Sequence, residues 1–208
     1  MPDVNDPGDS HTRRGGAWGL AFVVLLLVGA GMASVPGGQD SVAQVRRFYG
    51  EHTGVVLLSQ LVELLATLPL VLFVRALADS TLVRSRRDAL LAGGALVVAS
   101  VLTLVPPLLL VVLHDRASDG QVHALAVLSD LTDVLLFATI TAFAACAWAG
   151  GGPGWFRWSA LLVAVAAAAR ALEILFGGAL LEVVAPVAFI LLAVASSVLL
   201  MRGRRTGP

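Results

Sequence analysis

Lysine is absent from this chain, and all 14 of its basic residues are arginines. Charge of either sign is scarce: Asp, Glu, Lys and Arg make up 13% of the residues, about half the share usual in a soluble domain. The acids balance the arginines, so a net charge of zero offers no basic surface for nucleic acid. One cysteine, Cys146, cannot form an internal disulfide, and no Cys/His cluster has metal-site spacing. Cys146 lies in an apolar run and reads as a small packing residue. A phosphate-binding glycine loop, a zinc-protease helix motif, a nucleophile elbow and a dinucleotide-binding fingerprint are all missing. ATP-driven, zinc-protease and dehydrogenase chemistries therefore have no support, and no cofactor is implied.

What the chain does have is apolar length. Of its 208 residues 58% are hydrophobic, and the mean hydropathy is +0.88. These residues fall in long runs rather than at amphipathic spacing, which makes the bilayer the solvent and partner. The expected fold is all-α, a polytopic bundle of about six transmembrane helices over 17–201. The expected spans are 17–35, 55–78, 89–113, 122–149, 158–176 and 178–201. Each is near the ~20 residues that cross a bilayer as a helix, the form that satisfies its own backbone polar groups. Residues 1–16, rich in Pro, Gly and Asp, read as a disordered tail, and 202–208 as a basic tail. The first span has some marks of a signal peptide, namely Arg13-Arg14 and the small residues Gly31 and Ala33. Its length favours an uncleaved helix.

Arginine placement orients the bundle. With both termini cytoplasmic, 10 arginines lie inside, three (Arg46, Arg47, Arg116) lie outside, and Arg170 lies within the membrane. In the connection 36–54, Val42, Val45, Phe48 and Tyr49 share one helical face. This predicts a short interfacial helix with Tyr49 at headgroup depth. Trp155 and Trp158 read as an interfacial belt. Pro69, Pro106-Pro107 and Pro186 predict kinks. Ala166–Ala169 permit close helix approach and predict a central fifth span.

The informative residues are five carboxylic acids inside the spans: Glu63, Asp130, Asp133, Glu173 and Glu182. Ionised carboxylates in hydrocarbon are expensive, so such groups face a partner, a cavity or a proton path. At ~1.5 Å per residue, Glu63, Asp130, Asp133, Arg170, Glu173 and Glu182 all fall in the outer half of the membrane. Asp130 and Asp133 are three apart on one helix face, as are Arg170 and Glu173. Ser59 and Gln60 stand one turn from Glu63, within hydrogen-bonding reach. Five acids and one arginine leave an excess of four negative charges. Arg170 is thus expected to pair with one or two carboxylates, and at least one other acid to hold its proton near neutral pH. His52 and His123 fall where they can line the mouth of such a site.

The segments "VRRFYGEHTGVVLLSQ", "FVRAL" and "GPGWFRWSALLVAV" resemble a group of small six-helix actinobacterial membrane proteins, mostly without assigned function. That resemblance spans roughly 17–201 and implies fold rather than activity. The chain departs from that group in its acids at Asp130, Asp133 and Glu173. In size, helix count and buried acids it is also similar to integral-membrane terpene cyclases, an analogy without a diagnostic motif. That likeness implies an enzyme that protonates a prenylated small molecule to start carbocation cyclisation. Asp130 or Asp133 would be the acid, Glu63 would tune it, and Arg170, Glu173, Gln60 and Glu182 would support it. Phe73, Phe137, Phe143, Trp148 and Phe176 would wall the pocket. A small proton-coupled transporter and an accessory protein without chemistry are the alternatives. Oligomeric state is left open.

Overall fold

A backbone surrounded by lipid must satisfy its own hydrogen bonds, and helices do so within one segment. The computed structural model describes residues 7–178 and 180–202, and among them there is no strand. The helices are α1 (Pro7–Met32), α2 (Val42–Ala78), α3 (Arg86–Leu102), α4 (Val105–Leu113), α5 (Asp119–Trp148), α6 (Gly154–Leu175) and α7 (Val184–Arg202). The pair α3–α4 forms one broken span over Arg86–Leu113. With it, 6 units are long and apolar enough to cross a membrane. The protein is an all-α, multi-pass helical bundle.

Several ends differ from expectation, each for a local reason. Helix α1 begins at Pro7, inside the stretch expected as a tail; residues 1–6 lie outside the described residues, as do 203–208 of the basic tail. Gly15, Gly16 and Gly19 are buried, which ties this end of α1 into the bundle. Any Cβ at Gly19 would run into the Phe73 ring and Ser197, so glycine is what lets α1 approach α2 and α7 so closely. The interfacial helix over 42–51 and the second span are one helix, α2, with non-helical angles at His52 (φ −120°, ψ 15°). Ser41 caps it in a reciprocal box with Gln44. Tyr49 is fully buried within the protein, and its hydroxyl has no partner among the described residues. With Val45, Val56, Leu110, Val122 and Ala126 it forms a small outer core.

The prolines act differently from one another. Pro106 and Pro107 occupy the first turn of α4 and interrupt the hydrogen-bond ladder, so the chain kinks there while Thr103 and Leu104 keep helical angles. Pro186 also sits in a first turn, that of α7, where its missing donor costs little. Pro69 lies inside α2, whose only non-helical residue is His52. Helix α2 is the hub of the bundle: it packs on α1, α3, α4, α5 and α7, whereas α6 packs mainly on α5 and α7. The alanine-rich helix is therefore peripheral. Its small residues Ala160, Ala164, Ala167 and Ala171 are turned inward, and its large ones, such as Leu162, face outward.

The start of α1 lies against the ends of α2 and α7, through Gly15 on Ala76 and Gly16 on Met201. The turn before α3 meets the turn before α6 at the same end, where the Gly151 N–H donates to the Thr81 carbonyl. Arg75, Arg84, Arg86, Arg87, Arg157 and Arg202 cluster at this end by topology. Trp155 and Trp158 stand exposed beside them. At the opposite end, Arg46 staples α2 to the α4–α5 turn by donating to the carbonyls of His114 and Ala117 and to Asp119.

Candidate functional site

At the end remote from the arginine cluster, the bundle holds a half-open cavity of about 690 Å³ lined by many polar side chains. Its walls come from the α1–α2 connection, the first turns of α2, the N-terminal half of α5, the end of α6 and the α6–α7 connection. Asp130, Asp133, Arg170 and Glu182 all line it, joined by Asp40, Arg47, Glu51 and His52. Residues far apart in sequence thus share one cavity, but they do unlike things in it.

Asp133 takes no hydrogen bond from any described residue, and it lies within coulombic range of Asp130, Arg170 and Glu63. With the exposed Glu182, it is a lining carboxyl that no hydrogen bond among the described residues holds. Asp130, one turn earlier, is committed: its Oδ2 accepts the Gly38 N–H at 2.9 Å. Arg170 is also committed. It donates to Glu173 at 2.9 Å and to the Gly178 carbonyl at 3.0 Å, and its Nε is buried without a partner. Glu173 does not line the cavity. It accepts the Leu181 N–H at 2.9 Å and so folds the α6–α7 turn back on its own helix. That turn passes through Gly177 at φ +75°, a left-handed conformation that suits glycine at a helix end.

Glu182 departs from expectation. Helix α7 starts at Val184, so Glu182 is an exposed residue of the connection rather than a carboxyl within a span. Gln60 departs too: it is buried with its Oε1 unpartnered and makes no bond to Glu63. Ser59 does, with its Oγ 3.2 Å from Glu63 Oε1 and 3.0 Å from the Gly29 carbonyl oxygen.

Glu63 faces a different space. It lines an apolar chamber of about 180 Å³ between α1, α2, α3, α5 and α7. Phe22, Phe137 and Phe189 wall the chamber; Thr67, Ser100 and Thr103 are its other polar side chains. Phe22 meets Phe189 edge to face at 6.2 Å, a favourable aromatic arrangement. Of the aromatic wall expected from sequence, only Phe137 is present. Phe73 and Phe143 belong to the general core, while Trp148 and Phe176 are exposed. Phe22 and Phe189 gave no sequence signal apart from sitting mid-span.

His52 lines the polar cavity, stacked on Phe48 with ring centroids 5.0 Å apart. His123 lines a neighbouring groove instead. No group of three or more His, Cys, Asp or Glu among the described residues could hold a metal ion. The arrangement is therefore two compartments with no lining residue in common. One is polar, with Asp133 and Glu182 held by no hydrogen bond among the described residues; the other is apolar, with Glu63 as its carboxyl.

The chain matches no family model, no curated protein and no solved structure in comparisons with each.

Proposed function

We propose that this protein is a membrane-embedded acid catalyst that cyclises an amphiphilic, prenyl-bearing small molecule in the cell membrane. The observation that carries this reading is the placement of Glu63: among the described residues it is the one carboxyl lining a chamber walled by three phenylalanines, in a bundle that also holds a separate polar cavity. Aromatic faces stabilise a nearby cation, and an apolar wall keeps water from quenching it.

Hydrogen-bond accounting is compatible with Glu63 as the proton donor. Ser59 has one hydroxyl hydrogen and two acceptors in range. Gly29 belongs to the last turn of α1, where carbonyls lack helical partners, so the Ser59 hydrogen can satisfy that carbonyl. The Ser59 oxygen keeps two lone pairs, so in its contact with Glu63 it can accept a hydrogen from a protonated carboxyl as well as donate to an ionised one. In the reaction the carboxyl proton passes to a terminal alkene carbon or an epoxide oxygen. The π electrons of an internal alkene form the ring bond, and the ring cation returns a proton to the Glu63 carboxylate. The net change is an isomerisation. This reading moves the donor from Asp130 or Asp133 to Glu63, and gives Asp133 the head-group side.

The test is turnover of a farnesylated acceptor by protein reconstituted in lipid, with products separated by mass spectrometry. A cyclised isomer formed by the parent chain and lost in Glu63→Gln is the expected result. Intact substrate after incubation with folded protein would overturn the proposal. A pH change inside proteoliposomes, without product, would indicate the proton-coupled carrier instead; neither product nor flux would leave the accessory role.

A further inference from the structure

The connection between α1 and α2 crosses the mouth of the polar cavity. Ser34, Val35, Pro36, Gly37, Gln39 and Asp40 form part of its wall. The tip is internally closed: the Asp40 N–H donates to the Gly37 carbonyl at 3.1 Å, and the Asp40 carboxylate accepts the Gly37 N–H at 3.0 Å. Toward α5, α6 and α7 it makes one hydrogen bond among the described residues, from the Gly38 N–H to Asp130. The fit at this point is tight. A Cβ on Gly37 would come within 2.6 Å of Asp130 Oδ1, and one on Gly38 within 2.8 Å of Oδ2 and 2.9 Å of Val127.

On the far side of this contact lies a second space, a groove of about 370 Å³ between α5 and α6. Gln39, Asp130 and Ile174 line both spaces, so the connection and its contact with Asp130 are the partition between them. The groove is lined by the exposed apolar residues Val127, Leu131 and Leu175 together with the polar Gln39, His123 and Asp130.

We infer that residues 34–40 are a strap closing a lateral portal, latched by Asp130 to Gly38, through which a lipophilic ligand passes from the bilayer into the polar cavity. This rests on the reading that the cavity receives an amphiphilic substrate, and it makes Asp130 a positioning residue rather than the acid. Val35 packs on the cluster around Tyr49 and anchors one end, while the tip 36–40, whose one hydrogen bond to α5, α6 and α7 among the described residues is that to Asp130, can lift without unfolding either flanking helix. Lifting it joins the groove to the cavity beside Asp133, while Glu63 and the apolar chamber are untouched.

The experiment reads access rather than activity, so it separates this inference from the proposed reaction. Asp133→Cys is made in a Cys146→Ser background and reconstituted in lipid. It is then labelled either by a water-soluble maleimide or by a maleimide carried on a phospholipid. Adding Asp130→Ala is expected to speed labelling by the lipid-borne reagent about tenfold, the effect of removing one hydrogen bond. Asp130→Asn, whose amide oxygen still accepts the Gly38 N–H, is expected to keep the parent rate. Gly38→Ala, which forces strap and carboxylate apart, is expected to match Asp130→Ala and serves if that variant does not fold. The water-soluble reagent should label all of them alike. Lipid-borne labelling at one rate in the parent, Asp130→Ala and Gly38→Ala would overturn the inference.

Discussion

The Ser59 hydroxyl reaches across from α2 to the Gly29 carbonyl in the last turn of α1, at 3.0 Å. A side chain of one helix thus closes the end of another, and it does so one turn from Glu63. Replacing it with alanine leaves that carbonyl without a donor in a buried setting. Ser59→Ala is expected to destabilise the protein by about 1 kcal/mol, read as a lowered thermal midpoint in detergent. An unchanged midpoint would mean the carbonyl finds another donor.

Glu63 should be visible as a carboxylic acid. Infrared spectra of the reconstituted protein at neutral pH are expected to contain a protonated-carboxyl C=O band that Glu63→Gln removes and Asp130→Asn leaves. The same Glu63→Gln change is expected to cut cyclisation at least ~100-fold, the range of general-acid contributions. A Glu63→Gln spectrum identical to the parent's counts against the donor assignment.

The Arg170–Glu173 pair holds the α6–α7 turn through Leu181 and Gly178. Glu173→Ala removes the acceptor for both Arg170 and the Leu181 N–H, so it is expected to lower the thermal midpoint more than Glu173→Gln, which keeps one acceptor oxygen. Because the role is structural, proteolysis within the connection should rise in parallel. Equal midpoints for the two variants would show that the carboxylate charge, not the acceptor, matters.

Gly19 faces Phe73 and Ser197 where α1 crosses α2 and α7. Gly19→Val overfills that crossing and is expected to cost about 1–3 kcal/mol, read by the same thermal assay. Gly94 has open space around its Cα, so Gly94→Ala is the matched control, expected to be neutral or slightly stabilising. Equal losses in the two would argue against the close approach of α1.

Orientation follows from the arginine-rich end. In a Cys146→Ser background, Gln39→Cys is expected to react with an impermeant maleimide on intact cells, and Ser80→Cys only after lysis. The reverse pattern would invert the bundle and place the polar cavity on the cytoplasmic side.

Helical class, span number and the presence of intramembrane acids were legible in the chain, because a bilayer admits few backbone solutions and long apolar runs declare themselves. The sharing of one cavity by Asp130, Asp133 and Arg170 could be anticipated by counting residues from each span's end, since helical rise is nearly constant. Their division of labour could not. Depth is one-dimensional, whereas the direction in which a side chain points is set by how helices rotate and tilt against their neighbours. For that reason depth alone groups Glu63 with the aspartates, although it faces a separate apolar chamber, and hydropathy alone carries a span across Glu182, although α7 starts two residues after it. The alanine-rich helix looked central because small residues permit close packing, but they permit it equally well on one side of a peripheral helix. The sequence by itself determined that this chain spans a membrane and carries acids near one face. Only the tertiary packing decided which acid is tied to a strap, which holds a turn, which stays free and which looks into an apolar chamber, because those fates depend on contacts between segments distant along the chain.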